Sequence, residues 1–221
     1  MLKRLVHILT PPFLFLFLLF FPLKAEAEEE TGSLYVYFRE EKVGYEEFSW
    51  KTEEFGYSLQ VRGMMDKPIP LETKNLFIRL DRNFIPEYYS FLGAINGVPQ
   101  YIECLIAEGE VQTVMRVAGH EERSSLKIRR DAFLLPNAIF SPYLIVSKKY
   151  GCSLENPIEL SAYIVPQLEV PFQLELKEGA ICTLVLKISS MTIELETDEK
   201  GSLRGLVIPS QNLKISSKRI L

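Results

Sequence analysis

The chain has 221 residues, of which 47% are hydrophobic and 24% are charged, and its formal net charge is −4. That length is enough for one sizeable core or two small ones. A mildly acidic chain without a block of basic residues is not typical of a nucleic-acid-binding protein or of one that binds a membrane surface through a polybasic segment.

Residues 1–27 have the pattern of a cleaved signal peptide. Two basic residues begin the segment, an apolar run follows at residues 13–23, and Ala25 and Ala27 form the small-x-small pattern before a cleavage site. The alternative is a membrane anchor, but the run is shorter than the roughly 20 residues that a spanning helix needs. We therefore expect a periplasmic or secreted chain that begins at Glu28 and has no transmembrane segment. It would keep 22 basic and 28 acidic residues, a formal charge of −6.

Residues 34–50 predict the first ordered element of the mature chain. They are rich in Val, Tyr, Phe and Trp, and a charged break before Gly44 predicts two antiparallel strands joined by a turn at residues 40–42. Alternation gives each face of the first strand an apolar set: Leu34, Val36 and Phe38 on one face, Tyr35 and Tyr37 on the other. Two apolar faces are typical of a strand that is covered on both sides.

The same alternation recurs along the rest of the chain, with turns about every ten residues. The further predicted strands span residues 55–61, 76–80, 88–94, 101–107, 111–117, 126–129, 158–165, 168–176, 181–188, 191–197, 203–208 and 213–217. Asn96 and Gly97 give the strongest hairpin signal, because both tolerate positive φ, and residues 108–109 and 178–179 predict further turns. Pro171 has no N–H to donate, so its strand is predicted to lie at a sheet edge or to contain a bulge.

One segment departs from the strand pattern. Residues 142–150 predict a short helix with Ser141 as its N-cap, Pro142 at the first helical position, two lysines in the last turn and Gly151 just beyond. Because a helix of two turns is not stable on propensity alone, we expect it to pack on the face or the open end of the sheet.

Together these elements predict an all-β fold with one short helix, in a single domain at residues 28–221. Strands joined by tight turns favour a curved antiparallel sheet, a half-barrel or a barrel-like form over a parallel architecture. Strands with one polar and one apolar face must curl around the apolar side or be covered there. Curling would leave a groove.

Three cysteines, Cys104, Cys152 and Cys182, remain after removal of the signal peptide. In an oxidising compartment an odd number allows at most one internal disulfide and leaves one thiol. The pairing stays open, and buried thiols that behave as small hydrophobic groups are an equal alternative. Their spacing matches no metal motif.

Enzymatic signals are weak. His120, the one histidine of the mature chain, lies in a stretch that predicts a loop, and one loop histidine leaves few ways to activate a nucleophile. Adjacent carboxylates such as Glu46 and Glu47 point to opposite faces of a strand, so solvated positions explain them better than a paired acid and base. No glycine-rich phosphate loop precedes a helix. We predict a protein that is not an enzyme, with no catalytic residue, metal or cofactor.

The aromatic residues provide the candidate site. We predict that eight of them line a concave pocket for an apolar ligand: Tyr35, Tyr37, Phe48, Trp50, Tyr88, Phe91, Tyr101 and Tyr143. Ordinary core packing is the alternative explanation for these rings.

Several features together carry a resemblance. They are the signal peptide, the aromatic first strand, Val43-Gly44, Leu71-Glu72-Thr73, Asn96-Gly97, residues 137–143 before two basic residues, Val165-Pro166-Gln167 and a closing hairpin at residues 198–209. This order resembles a group of uncharacterised bacterial envelope proteins. More loosely, it is similar to the lipoprotein-localisation proteins, whose half-barrels carry acyl chains in the periplasm. The resemblance implies a periplasmic curved sheet with a hydrophobic cargo and brings no catalytic residues.

Three functions follow from these observations. The first is an envelope protein that binds a lipid or acyl chain in the concave face of its sheet. The alternative is a periplasmic structural or interaction module that contacts an envelope protein partner through an edge strand, such as the one near Pro171, or through its surface. The third is a hydrolase of unfamiliar type that depends on His120.

Overall fold

Fifteen strands form one large, curved and unclosed sheet, and one short α-helix packs against it. The computed structural model describes residues 28–177 and 182–217. The predicted signal peptide and the predicted turn at residues 178–179 lie outside the described residues. The prediction of an all-β fold, built as a curved antiparallel sheet with a short helix, is confirmed.

The elements follow one another along the chain without a long gap. The strands are β1 (Glu29–Phe38), β2 (Glu41–Glu53), β3 (Gly56–Met65), β4 (Leu71–Asp81), β5 (Pro86–Ile95), β6 (Val98–Ala107), β7 (Glu110–Val117), β8 (His120–Lys127), β9 (Phe133–Leu134), β10 (Ile158–Ile164), β11 (Leu168–Leu176), β12 (Thr183–Ile188), β13 (Met191–Thr197), β14 (Leu203–Ile208) and β15 (Leu213–Ser216). The helix α1 spans Tyr143–Tyr150, and a 3₁₀ turn spans Pro209–Gln211.

Most strands pair with their neighbours in sequence, because short turns connect them. Strands β1 to β8 form one meander and β10 to β15 another, and the pairing of β1 with β15 joins the two into one sheet. At the turn between β5 and β6, Asn96 and Gly97 have φ values of 51° and 75°, which confirms the predicted hairpin. Every described strand pair is antiparallel except β9 with β10.

The inner face of the sheet forms the core. On β1, β2 and β3 it carries the buried side chains of Leu34, Val36, Phe48, Trp50, Leu59 and Val61. Side chains in register on paired strands lie on the same face, so this apolar stripe continues from strand to strand around the curve. The predicted alternation on β1 is confirmed, and it leaves Tyr35 and Tyr37 on the outer face.

Helix α1 crosses the concave side of the sheet and contacts β13 and β14. Its first five residues are buried. The Ser147 hydroxyl donates to the Gly201 carbonyl oxygen at 2.7 Å, and Lys148 Nζ lies 2.6 Å from Glu30 Oε2 on β1. The helix therefore links the β13–β14 turn to the first strand, and the expectation that it must pack on the sheet is confirmed.

The start of α1 differs from the prediction by one position. Pro142 is the N-cap residue and no side chain caps the helix, so the prediction of Ser141 as N-cap is wrong. The reason is that the Ser141 hydroxyl donates to the carboxylate of Glu46 on β2 instead.

Pro171 lies in an interior strand at a position where the next strand does not reach. It is opposite Ser161 on β10, and β12 pairs with β11 only over residues 173–176. The missing N–H of Pro171 therefore leaves no gap in the β11–β12 ladder. The strand was predicted to lie at a sheet edge or to contain a bulge, and the structure places Pro171 in the part of β11 that β12 does not cover.

Near the end of the first meander one prediction is wrong and one strand was missed. His120 is the first residue of β8 and pairs with Val117, so it lies in a strand and not in a loop; it is exposed there. Strand β9 was not predicted, because two residues paired in parallel with β10 leave no periodicity to detect.

The cysteine pairing that the sequence left open is resolved. Cys152, just after α1, forms a disulfide with Cys182, just before β12, and their Cα atoms are 5.0 Å apart. Cys104 is a buried free thiol, and burial raises its pKa to about 11, so it stays protonated near neutral pH. The disulfide fixes the C-terminal end of α1 to the sheet.

Candidate functional site

An apolar cavity of about 510 Å³ lies at one end of the curved sheet. Its walls are formed by Phe38, Met65, Pro68, Ile69, Leu135, Pro136, Asn137, Ala138, Ile139, Phe140, Tyr143, Ile164, Val170, Ile188, Met191, Ile208, Gln211 and Leu213. The volume is within the range of roughly 300–1,000 Å³ that is usual for small-molecule sites.

One wall of the cavity is the sheet itself. Phe38 ends β1, Ile208 ends β14 and Leu213 begins β15, so these side chains come from strand ends that meet at the same end of the sheet. Ile188 and Met191 add the turn between β12 and β13. The cavity depends on the curvature of the sheet, because strand ends from both meanders line the same space.

A second part of the wall is the segment of residues 135–141, which we call the cover. Six consecutive residues of the cover, 135–140, line the cavity, and Tyr143 of α1 continues that wall. The Leu135 N–H donates to the Tyr163 carbonyl oxygen on β10 at 3.1 Å and fixes the start of the cover. Ile139 and Phe140 are buried, whereas Asn137 is exposed.

Glu46 fixes the other end of the cover. This carboxylate lies on the inner face of β2 and is only 5% exposed. Oε1 accepts a hydrogen bond from the Phe140 N–H at 2.8 Å, and Oε2 accepts from the Ser141 N–H at 2.7 Å and from the Ser141 hydroxyl at 2.5 Å. Burial raises the pKa of Glu46, and it outweighs these hydrogen bonds, which act to lower the pKa.

No charged side chain faces Glu46 within the part of the chain that the structure describes. Its cross-strand neighbours are Leu34 on β1 and Gly63 on β3. The adjacent Glu47 points to the outer face and pairs with Arg62 at 2.7 Å. Glu46 is therefore a buried acid that is held by hydrogen bonds alone.

The cavity wall has little charge or acid-base chemistry. Tyr143 is the one ionisable side chain among the lining residues, and burial raises its pKa well above the ordinary tyrosine value, so the phenol stays neutral. The polar side chains are Asn137 and Gln211, which are exposed and mark the mouth together with Pro68 and Ile69. Such a wall suits hydrocarbon.

Arg39 lies next to the cavity, beside the lining residue Phe38. The backbone N–H of Arg39 donates to the Asn212 carbonyl oxygen at 2.9 Å. The guanidinium carbon Cζ lies 5.2 Å from the centre of the Phe38 ring, which lines the cavity. Lys67, a second cation near the cavity, pairs with Glu41 at 3.1 Å. Arg39 makes no ion pair among residues 28–177 and 182–217, so its charge is not neutralised locally.

Of the eight aromatic residues predicted to line a pocket, the structure places Tyr143 at this cavity. Phe48, Trp50 and Phe91 are buried on the inner face, at a distance from its walls. The other four lie on the outer face of the sheet: Tyr35, Tyr37, Tyr88 and Tyr101. Cation–π contacts explain part of this placement, because Lys42, Arg79 and Arg116 lie over three of the outer rings.

Trp50 belongs to a second, more polar pocket of about 400 Å³. It stacks on Tyr57 at 5.3 Å between ring centres, and Tyr57 stacks on Phe84 at 4.5 Å. The Glu30–Lys148 ion pair forms part of the wall. The three rings therefore stack on one another along the wall of this pocket.

Sequence reasoning missed the cover, and its explanation of Glu46 as a solvated carboxylate is wrong, because this side chain is only 5% exposed. The alternation that places Phe48 and Trp50 on the inner face also places Glu46 there, so a signal for a buried acid was present in β2. The aliphatic residues of the cavity were missed because strand ends that line a cavity and strand ends that fill a core have the same composition.

Comparisons with known proteins identify no family for the chain. No protein-family profile matches the sequence, and no curated protein matches it. A crystal structure of a DUF1089 family protein from Pseudomonas aeruginosa is similar in structure, with 13% identity, a TM-score of 0.48, and coverage of 76% of this chain and 90% of that chain. At these values the similarity carries no functional inference.

In residues 28–177 and 182–217, no cluster of three or more His, Cys, Asp or Glu residues could hold a metal ion. Across the same residues, no helix has the length and apolar character needed to cross a membrane.

Proposed function

We propose that the protein is an exported envelope protein that binds an apolar ligand, a lipid or an acyl chain, in the cavity between the curved sheet and the cover. The observation that supports the proposal is the composition of the cavity wall, in which the polar side chains are confined to the mouth. Each methylene that leaves water for such a wall contributes about 0.8 kcal/mol, so a chain of modest length gains substantial affinity.

The arrangement of the mouth suggests how an amphiphile would lie. Its hydrocarbon would be inside, against residues such as Ile139 and Leu213, and its polar group would stay near Asn137, Gln211 and Arg39. The resemblance to the lipoprotein-localisation proteins and the predicted signal peptide agree with a hydrophobic cargo outside the cytoplasm.

The direct experiment is native mass spectrometry of the full chain, expressed with residues 1–27 and purified without detergent. We expect additional masses that correspond to bound lipid, and uptake of cis-parinaric acid, a fluorescent fatty acid, by the delipidated protein. A clean apo mass together with no uptake of the probe would contradict the proposal.

A cavity-filling variant makes the experiment specific. Val170→Trp should place a large ring in the space that the acyl chain needs and should weaken uptake of the probe by about tenfold or more, because displacing two methylenes costs about that factor. The control is Leu92→Trp, which adds the same ring at a position that is 48% exposed. Equal uptake by both variants would place the ligand elsewhere.

A second candidate function has one observation in its favour. Residues 168–172 of β11 have no partner on the β12 side within the described chain, and Leu168 is 56% exposed there. An extended segment of an envelope protein could add to this local edge by backbone hydrogen bonds. Site-specific crosslinking from position 168 in the periplasm would return a partner if this function holds, and monomer alone would argue against it.

A further inference from the structure

We propose that the cover is a gate, which lifts from the sheet to admit and release the ligand, and that Glu46 is the contact that holds it shut. The proposal rests on the proposed function, because it concerns access to the same cavity. It adds a moving element and a residue that controls it.

The hydrogen bonds that attach the cover to the sheet lie at its two ends, while the side chains of Leu135, Ile139 and Phe140 are buried in the core. The Leu135 N–H donates to Tyr163 on β10 at one end, and Glu46 accepts from Phe140 and Ser141 at the other. Between these points, residues 136–139 make no hydrogen bond to the sheet among the described residues, and Pro136 has no N–H to donate. A segment held at two points can detach at one of them without breaking a strand ladder.

Loss of the Glu46 contact would open the cavity. Residues 135–140 form one continuous wall, so a movement of this single segment uncovers the sheet side of the cavity. The fixed elements on either side favour such a movement. The start of the cover is anchored next to β9, and α1 beyond it is tied to the sheet by the Ser147–Gly201 hydrogen bond and by the Cys152–Cys182 disulfide.

The chemistry of the contact makes it reversible. Glu46 accepts three hydrogen bonds from the cover and forms no ion pair with any residue that the structure describes, and its cross-strand neighbours are Leu34 and Gly63. Lys148, which follows the cover on α1, forms an ion pair with Glu30 at 2.6 Å and not with Glu46. Opening exchanges these hydrogen bonds for hydrogen bonds to water and returns the carboxylate to solvent, which reduces the free-energy cost of breaking this contact.

Two variants test the contact. Glu46→Gln keeps the shape of the side chain but places an amide N–H₂ against a backbone N–H, which leaves one donor of the cover without an acceptor. Ser141→Ala removes the hydroxyl bond and keeps both backbone bonds. The matched control is Glu47→Gln, on the outer face of the same strand.

The first measurement is hydrogen exchange of the ligand-free protein. We expect the amides of Phe140 and Ser141 to exchange about tenfold faster in Glu46→Gln and severalfold faster in Ser141→Ala, with no change in Glu47→Gln or in the amides of β2 and β3. The second is the dissociation rate of cis-parinaric acid, which should rise by similar factors.

The two measurements separate the two proposals. Faster exchange of the cover amides in a protein that takes up no probe would contradict ligand binding and uphold the contact. Probe that dissociates at the wild-type rate from Glu46→Gln and from Ser141→Ala would overturn the gate. If Glu46→Gln does not fold, Ser141→Ala alone decides, because its change is small and leaves the backbone bonds in place.

Discussion

Glu46 on β2 and Ser141 in the cover are 95 positions apart in the sequence and are joined by two hydrogen bonds to the same carboxylate oxygen, from the Ser141 N–H at 2.7 Å and from its hydroxyl at 2.5 Å. An ionised carboxylate that is buried without a cation has an unfavourable desolvation free energy of several kcal/mol. The bonds from Ser141 and Phe140 offset only part of it, since the pKa of Glu46 is raised.

This balance predicts how stability depends on pH. The pKa of Glu46 is higher in the folded protein than in the unfolded chain, so the folded state binds its proton more tightly. Its contribution to the free energy of unfolding is fully present below the ordinary glutamate pKa and is lost as the pH rises through the raised pKa. Between the ordinary glutamate pKa and the raised pKa, the contribution of Glu46 to the free energy of unfolding should fall by up to about 1.4 kcal/mol per pH unit.

The measurement is urea denaturation at a series of pH values, compared between wild type and Glu46→Gln. The comparison is needed because groups such as Glu121 and Asp198 have lowered pKa values and act in the opposite direction. The difference in the free energy of unfolding between wild type and Glu46→Gln should vary with pH. The difference between wild type and Glu47→Gln should stay constant. Parallel curves for all three proteins would show that Glu46 does not titrate in this window.

Arg39 predicts a preference for acidic amphiphiles. Its guanidinium lies beside the Phe38 ring, next to the cavity, and makes no ion pair among the described residues, so it is free to interact with a carboxylate. An exposed ion pair is worth up to about 1 kcal/mol, so Arg39→Gln should weaken binding of cis-parinaric acid by up to about fivefold and leave binding of its methyl ester unchanged.

The control for this prediction is Lys42→Gln, since Lys42 lies over the Tyr35 ring on the outer face at 4.4 Å. It removes the same charge from a position close in sequence. Equal effects of the two variants on the acid would indicate a general effect of net charge, and equal effects of Arg39→Gln on acid and ester would mean that no head group binds there.

The disulfide predicts a large response to reductant. Cys152 and Cys182 are separated by 30 positions, and closing a loop of that size stabilises a protein by about 3 kcal/mol. Denaturation with and without reductant should show that difference in wild type and in Cys104→Ala, and no difference in Cys182→Ala. A response that disappears in Cys104→Ala would show that Cys104 takes part in the bond instead.

Much of the fold could be predicted from local pattern. Alternating residues predicted most of the strands, and the positive φ tolerated at Asn96 and Gly97 predicted the hairpin between β5 and β6. These features depend on contacts between neighbours in sequence. The joining of the two meanders into one sheet depends on the pairing of β1 with β15, such as Val36 with Ile215, and no local pattern specifies a partner at that distance in the sequence.

The cavity was harder to predict for the same reason. Aromatic content directed the prediction to rings that fill the core, such as Phe91, or that lie on the outer face, such as Tyr101. A cavity is the space that side chains leave, and it depends on where the cover crosses the sheet. The contacts of Glu46 could not be predicted from a local pattern, because its hydrogen-bond partners Phe140 and Ser141 lie in a distant segment without periodicity.

Helix α1 approaches the β13–β14 turn closely at Gly201, which leaves no room for a side chain there. The φ of Gly201 is 73°, and a Cβ at this position would lie 2.8 Å from the Ser147 carbonyl oxygen and 3.1 Å from the Lys148 Cα. Gly97 has a similar φ of 75°, but a Cβ there would meet nothing within 4 Å. The two glycines therefore share the backbone requirement and differ in the space around them.

Alanine at either site must adopt a left-handed conformation, which costs roughly 1–2 kcal/mol. We expect Gly97→Ala to lower the free energy of unfolding by about that amount, and Gly201→Ala to lower it by at least about 1 kcal/mol more, because backbone atoms of α1 would have to move. Urea denaturation of the two variants measures the difference. Equal losses would mean that the helix can withdraw from the β13–β14 turn at no cost, and that the Ser147–Gly201 hydrogen bond does not hold α1 in place.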